Sequence, residues 1–530
     1  MSKRFLDQPL VNGAAVVWSV LAFGFVTGSV SASEPMTVAE TPTTARTPEG
    51  EFIFWREHRI DDEDINGGVP IRGGDGIAIG DIDGDGLEDL VTAHEDSNHI
   101  RIAFSDGSSD EWVLRTIAEG QWAGAVEDIA LIDLNADGYL DVVAACEDAH
   151  LLYLQNPGEQ ARDGNWSALI PELSKGRGSW LRVFATDIDG DGRAELTAAN
   201  KGTADVVRLD AGDADNGATS LIRVAGNPLE SANWRETVLY QTGVPNTALP
   251  TDIDGDGDMD VIAAKRVRQQ IVIIENQGLG DQGELRTVAK PIRIIPGFDA
   301  PKRWRGLSNA FHADTADINN DGRLDLLVNV LELADDPSFR HAGLGWLEQG
   351  ESLDDSWVFH RIGNTLPDWV IGIRVADIDG DGDPDVVTGG YSGINIIEGA
   401  YSGASRDFDD PSVTTASSVG RISWFENPGN TDEPWLRHDI SRRVRGMFDM
   451  YVSRDLDGDG DMDLIATRGN SGEYDGVFWL EQVRSKTPSP SFIAARKSES
   501  RPLPLPPANW LEIYDRRTTY IAPNKVGDKP

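Results

Sequence analysis

A nine-residue phrase recurs seven times in this chain and limits its fold more than any other feature. It reads DIDGDGLED from Asp81, DLNADGYLD from Asp133, DIDGDGRAE from Asp187 and DIDGDGDMD from Asp252. It returns as DINNDGRLD from Asp317, DIDGDGDPD from Asp377 and DLDGDGDMD from Asp455. The starts are 52, 54, 65, 65, 60 and 78 residues apart. Such periods belong to solenoids, propellers and arrays, where each unit buries its apolar faces only against its neighbours.

The wording around the phrase repeats too. An apolar segment precedes it, as at Gly76 to Gly80 or Val183 to Thr186, and a β-branched run follows, as at Asp141 to Ala145, Asp260 to Ala264 or Asp385 to Thr388. A third run ends in polar residues, as at Leu151 to Asn156, Ile422 to Asn427 and Val477 to Glu481. A fourth often opens on Trp: Trp112 to Ile117, Trp357 to Ile362, Trp435 to Ile440. Short β-branched and aromatic runs bounded by Gly, Asp and Asn read as strands. Four per repeat predict an all-β fold, a seven-bladed β-propeller of four-stranded blades. The seventh repeat has no fourth run. However, Trp55-Arg-Glu-His-Arg-Ile60 shares the Trp-x-x-His-x-Ile wording of Trp357 and Trp435. Phe52 to Ile60 is therefore expected to complete the last blade and close the ring, leaving only short protected edges.

The ends are read from composition. Lys3 and Arg4 precede an apolar stretch from Ala14 to Val26, and Val30-Ser31-Ala32 has the small residues of a cleavage site, so 1–32 reads as a secretory signal peptide. Residues 33–50 read as a Pro/Thr-rich linker, 51–482 as the propeller and 483–530 as a Pro-rich C-terminal tail. No later run approaches the ~20 apolar residues that span a bilayer. The expectation is a secreted, periplasmic or cell-surface monomer with no membrane span after signal cleavage. Cys146 is the single cysteine, which excludes an internal disulfide framework and a Cys-rich zinc site.

The phrase itself is a metal-loop pattern. Side-chain oxygens stand at positions one, three, five and nine, and a backbone carbonyl at position seven completes the set. The expected ligands are Asp81, Asp83, Asp85 and Asp89 in the first repeat, and Asp133, Asn135, Asp137 and Asp141 in the second. The third offers Asp187, Asp189, Asp191 and Glu195, and the fourth Asp252, Asp254, Asp256 and Asp260. The fifth offers Asp317, Asn319, Asp321 and Asp325, the sixth Asp377, Asp379, Asp381 and Asp385, and the seventh Asp455, Asp457, Asp459 and Asp463. Ca²⁺ takes about 6–8 oxygens, so up to seven calcium sites are expected. Position six is Gly throughout, where a tight loop needs positive φ, and position two is always Ile or Leu. An EF-hand would require a carboxylate at position twelve. That position holds Thr92, Ala144, Ala198, Ala263, Val328, Thr388 and Ala466, so the EF-hand reading fails.

These phrases, each followed by a strand, together with Trp424-Phe-Glu-Asn-Pro-Gly429, resemble the FG-GAP/VCBS-repeat family, to which the integrin α-subunit propeller is related. The resemblance covers about Phe52 to Glu481. It implies calcium loops joining the first two strands of each blade, opposite the usual ligand face. It also implies a range of functions, from adhesion and glycan binding to polysaccharide lyases and sugar dehydratases.

The net charge of -42 excludes a nucleic-acid binder that works by phosphate neutralisation. Against that acidity, His94, His99, His150, His312 and His341 all fall in loops opposite the Asp phrases, with Lys201, Lys265, Arg72, Arg266, Arg305, Arg374, Trp122, Trp180 and Trp369. Trp faces stack on sugars and Arg forks bind carboxylate or sulfate. The expected function is a calcium-binding module for a glycan or extracellular protein. The alternative is a carbohydrate lyase or dehydratase, with His312, Arg305, Arg374 and Arg266 as candidate catalytic residues. No nucleophile signature or phosphate loop is present.

Overall fold

The computed structural model describes residues 42–496 apart from 109–110, 203–215, 266–269, 298–307, 334–339, 364–368, 392–420, 431–432, 443–446 and 470–473. Residues 1–41 and 497–530 lie outside the described residues. No helix among the described residues is long and apolar enough to cross a membrane.

Seven antiparallel sheets follow the seven repeats. Blade 1 runs Gly74–Gly80, Asp89–His94, His99–Ser105, Trp112–Glu119, and blade 2 runs Val126–Ile132, Asp141–Cys146, His150–Gln155, Ser167–Leu169. Blade 3 is Ser179–Thr186, Glu195–Gly202, Gly217–Val224, Trp234–Thr242, and blade 4 is Pro245–Thr251, Asp260–Lys265, Gln270–Leu279, Leu285–Pro291. Blade 5 is Ser308–Ala316, Asp325–Leu333, Arg340–Glu348, Ser356–Gly363, with Arg293–Pro296 added in parallel at its outer edge. Blade 6 is Trp369–Ala376, Asp385–Tyr391, Arg421–Glu426, Leu436–Arg442. Blade 7 begins Tyr451–Arg454, Asp463–Arg468, Gly476–Ser485 and takes its fourth strand, Phe52–Asp62, from the N-terminal side. The first strands neighbour one another in order, and that of blade 7 returns to that of blade 1. The predicted seven-bladed propeller is the observed fold.

The apolar second strands follow from this ring. Successive side chains point to opposite faces of a strand. In a blade both faces are covered, so alternate residues enter the two neighbouring interfaces. Leu90 packs with blade 7 while Val91 packs with blade 2. Val142 and Val143, Val261 and Ile262, Leu326 and Leu327, Val386 and Val387, and Leu464 and Ile465 divide in the same way. Each interface thereby becomes its own apolar cluster. The position-two residue of each phrase points into the cluster shared with the next blade: Ile82, Ile188, Ile253, Ile318 and Ile378 are all buried there.

Hydrogen bonds fix the same loops. The position-nine carboxylate accepts the position-two N–H in every blade at 2.9–3.2 Å. In six blades its other oxygen accepts an N–H from the end of the third strand or just beyond it, at 2.7–3.0 Å. The residue supplying that N–H is often Asn or Gln, and its amide reaches back to the preceding blade. Asn156 donates to the Ile82 carbonyl, Asn276 to Ile188, Gln349 to Ile253, Asn427 to Ile318 and Gln482 to Ile378. Where the wording is Asn-x-Gly, the Asn oxygen also accepts the Gly N–H, as at Gly429, whose φ is 65°.

Three blades share a further module. His58 stacks on Trp479, His360 on Trp346 and His438 on Trp424, with ring centroids 4.2–4.4 Å apart. Each imidazole Nε2 bonds the Glu two residues after that Trp, Glu481, Glu348 or Glu426, at 2.6–2.8 Å. The Trp-x-x-His-x-Ile wording thus encodes an outer strand whose His packs on the third strand, and it identifies the closing strand correctly. Phe52–Asp62 pairs antiparallel with Gly476–Ser485, from Phe52 opposite Ser485 to Asp62 opposite Gly476.

Parts of the expected linker and tail are built into this blade. Phe492–Ile493 pairs in parallel with Trp55 and Arg56, the Thr43 N–H donates to the Ser489 carbonyl at 2.8 Å, and Ala45 joins the cluster between blades 6 and 7. The reason is apolar: Ala45 and Phe492, set in otherwise polar, Pro-containing stretches, are buried against the closing strand.

Asn427→Ala removes donors from two carbonyls, Ile318 and Pro384. The expected cost is about 1–3 kcal/mol, that of leaving buried acceptors without partners. Urea unfolding should show a lower midpoint at unchanged slope.

Candidate functional site

All seven Asp phrases join the first and second strands of their blades, so they crown one end of the ring. Position six has φ between 87° and 98° in every copy. That conformation suits Gly and turns the chain sharply enough for the Gly N–H to bond the position-one carboxylate, as Gly86 does with Asp81 at 3.0 Å and Gly322 with Asp317 at 2.8 Å. The position-five N–H bonds the position-three side chain and the position-seven N–H bonds position five, as in Asp381 to Asp379 and Asp383 to Asp381. These turns gather carboxylates. Oxygens of Asp81, Asp83 and Asp85 lie within 4.8 Å of one another, as do those of Asp187, Asp189 and Glu195, of Asp252, Asp254 and Asp260, and of Asp377, Asp379 and Asp385.

Such gathering carries an electrostatic cost. Burial lifts the carboxyls of Asp89 and Asp141 to about 6, those of Glu195, Asp260, Asp325 and Asp463 to about 7, and that of Asp385 to about 8, although backbone N–H groups oppose the shift. Burial and the adjacent Asp459 and Asp463 raise Asp461 to about 8. Oδ1 atoms of Asp189, Asp252, Asp258 and Asp461 are buried without a hydrogen-bond partner. Oxygens arranged in this way suit a hard cation.

The loops are not equivalent. In blade 1 the Arg162 guanidinium bonds Asp83 and reaches Asp85 at 2.9 Å. In blade 3 Arg223 reaches Asp189 at 2.9 Å. In blades 2 and 5 the amides of Asn135 and Asn319 donate to Asp137 and Asp321. The loops of blades 4, 6 and 7 instead carry an extra Asp at position seven: Asp258, Asp383 and Asp461.

The opposite end of the axis holds a second constellation. His312, one of the predicted residues, is 6% exposed, and its Nε2 lies 2.9 Å from Asp449 Oδ1 and 3.0 Å from an Arg182 nitrogen. Arg182 also pairs with Asp449 at 3.5 Å. Burial keeps the His312 imidazole below its ordinary value. It would raise Asp449, but His312 and Arg182 hold that carboxyl low. Asp128 accepts the Val183 N–H at 3.1 Å, and burial raises it to about 6 against the pull of Arg182. Asp75 is raised well above the carboxylate range by burial, then by Glu127, Asp449 and Glu95.

These residues share one structural address. Asp75, Asp128, Arg182, Asn246, His312 and Asp449 each stand five or six residues before an Asp phrase. In blades 1 to 5 the inner strand breaks register there, between Gly74 and Ile77, Val126 and Asp128, Trp180 and Arg182, Pro245 and Ala248, and Ser308 and Ala313. Such bulges re-aim a side chain. The position five or six before the phrase is therefore a readable signal, though no single residue type marks it from blade to blade.

The other predicted residues take varied positions. Arg305 and Arg266 lie outside the described residues, and Arg374 sits 3.7 Å from Asp314 and contacts Ser453. Arg72 pairs with Glu63 and Lys201 with Glu147, while Lys265 lies over the Tyr240 ring. His94 is buried beside Thr92, and burial pulls it down to about 3. His150 bonds the Trp122 carbonyl at 2.9 Å. Trp180 is a core residue bonded to the Ser174 carbonyl, whereas Trp122 is 48% exposed. Many of the described cations on this face therefore meet carboxylates of the chain itself.

Arg182→Met leaves Asp128 and Asp449 buried without their guanidinium. Stability in denaturant unfolding should fall by about 3–5 kcal/mol. Arg374→Met, which removes a partly exposed pair, should change it by about 0–1 kcal/mol.

The FG-GAP-like repeat family matches residues 81–144, 133–198 and 252–328. No curated protein sequence matches the chain. Similar solved structures include YCF48 from Cyanidioschyzon merolae, at 12% identity over 81% of this chain and 98% of that one, TM-score 0.43. The Dos1 propeller shows 10% identity over 79% of each chain, TM-score 0.40. BBS1N in complex with ARL6DN, soaked with lead, shows 12% identity over 84% of this chain and 99% of that one, TM-score 0.40.

Proposed function

The chain is a seven-bladed propeller of FG-GAP-like repeats, and on that premise we propose that it is a calcium-stabilised binding module working outside the cytoplasm as a monomer. The observation that carries the calcium is the set of buried loop oxygens without partners, Asp189, Asp252, Asp258 and Asp461, each in a turn that gathers carboxylates. Calcium supplies the charge these groups lack and leaves the blade ends rigid. The N-terminal apolar run supports export, to surroundings where calcium is plentiful. The partner, an extracellular protein or a glycan, meets the face opposite the loops, where Trp122 is exposed.

At His312 the geometry favours holding over catalysis. A general base must come within hydrogen-bond reach of its substrate, and this imidazole is buried with Arg182 and Asp449 at its Nε2. A lyase built on this residue would first have to open that network.

Metal removal tests the reading. Each calcium at about a hundredfold excess over its Kd adds about 2.7 kcal/mol to the folded state, so chelator should lower the melting temperature by several degrees and calcium should restore it. An unchanged melting point after confirmed removal overturns the calcium role. Incubation with uronate polymers separates holding from cleaving. Retention without absorbance from unsaturated product fits the binding reading, and product formation replaces it with the lyase.

A further inference from the structure

Where blades 1 and 2 meet, on the face away from the Asp loops, three more carboxylates converge. Glu95 and Glu147 directly follow the second strands Asp89–His94 and Asp141–Cys146, and Glu127 lies in the first strand of blade 2. Their oxygens lie within 4.8 Å of one another, and all three residues are half-buried. Backbone bonds hold two of them in equivalent places: the Glu95 N–H donates to the Gly73 carbonyl and the Glu147 N–H to Ala125, both at 2.7 Å.

A separate observation points to a missing ligand. Asp75, on the first strand of blade 1, is 3% exposed, and its Oδ2 has no hydrogen-bond partner. The charges acting most strongly on it are Glu127, Asp449 and Glu95, all acidic. Its strand runs close against that of Glu127, since a Cβ added at Gly76 would lie 3.0 Å from the Glu127 carbonyl oxygen. Lys201 pairs with Glu147 and offsets one charge, and Arg182 lies deeper, between Asp128 and Asp449. Among the described residues, the carboxylates of Asp75, Glu95, Glu127, Asp128, Glu147 and Asp449 thus gather around Lys201 and Arg182, with His312 held toward neutrality.

We propose that Glu95, Glu127 and Glu147, with Asp75 beneath them, form a divalent-cation site at this end of the propeller, separate from the Asp loops. Three carboxylates at such spacing supply the hard oxygens that calcium takes, and the half-buried mouth leaves positions for water or for an oxygen of a partner. The site depends on no Asp phrase and stands whether or not the loops hold metal.

The test counts ions. Full-length protein, Glu127→Gln and Asp254→Asn are each stripped with chelator and dialysed to equilibrium against calcium alone, and bound metal is measured per chain. Glu127→Gln should bind one ion fewer than wild type. Asp254→Asn, in the loop of blade 4, should lose its own ion independently, so that the double variant loses both. In chelator Glu127→Gln should remain folded, as its melting curve will show. Should that variant not fold, Glu95→Gln carries the same comparison. A folded variant that keeps the wild-type ion count overturns the axial site. If the loops prove empty, Asp254→Asn matches wild type while Glu127→Gln still loses its ion, so the two readings fail separately.

Discussion

The structure depends on the carboxylate that ends each Asp phrase. It accepts the N–H of the Ile or Leu seven residues earlier, and in six blades also an N–H from the end of the third strand or just beyond it. One side chain thereby pins three parts of a blade. The pinned Ile enters the next interface, and its carbonyl receives the amide of that blade's Asn or Gln at five of the joints. The turn that gathers the carboxylates and the turn that locks blade to blade are the same turn. A cation there would stiffen the joint as well as the loop.

Burial follows from this repetition. A strand covered on both faces needs apolar residues at every position, not at alternate ones. The run Asp141–Cys146 shows this, being buried throughout. Each blade adds one interface, and the final interface requires the ring to close.

The repeated parts could be read from sequence because repetition separates a structural role from chance. Asp-x-Asp-x-Asp-Gly, the apolar run after it and Trp-x-x-His-x-Ile each recur, and each proves to be one local geometry. The last of these assigns Phe52–Ile60 to the last blade, and the observed strand Phe52–Asp62 pairs with Gly476–Ser485 across most of the chain. The axial network was less readable for the opposite reason. Its members share an address but not one residue type throughout: Asp75, Asp128 and Asp449 are fitted to Arg182 and His312 across different blades. In an acidic chain the scarce His and Arg stand out on that face. Their acidic partners, such as Glu147 beside Lys201, were hidden in an overall excess of acid. Likewise Ala45 and Phe492, single apolar residues in polar segments, carry no periodic signal, yet both are buried against the closing strand.

The shared last blade has a consequence for biogenesis. Ribosomes deliver a chain from its N-terminus, so Phe52–Asp62 emerges long before Gly476–Ser485, its partner in the ring. The earliest strand is thus the last to be satisfied, and through most of synthesis it presents an unpaired edge and the Trp55 side chain. Blades 1 to 6 can form vectorially, each against its predecessor, but the interfaces that flank blade 7 cannot. Such waiting strands are where multi-repeat chains misassemble or exchange segments. The molecule therefore trades an exposed adolescence for a mature ring in which Phe52–Asp62 and Gly476–Ser485 hold each other.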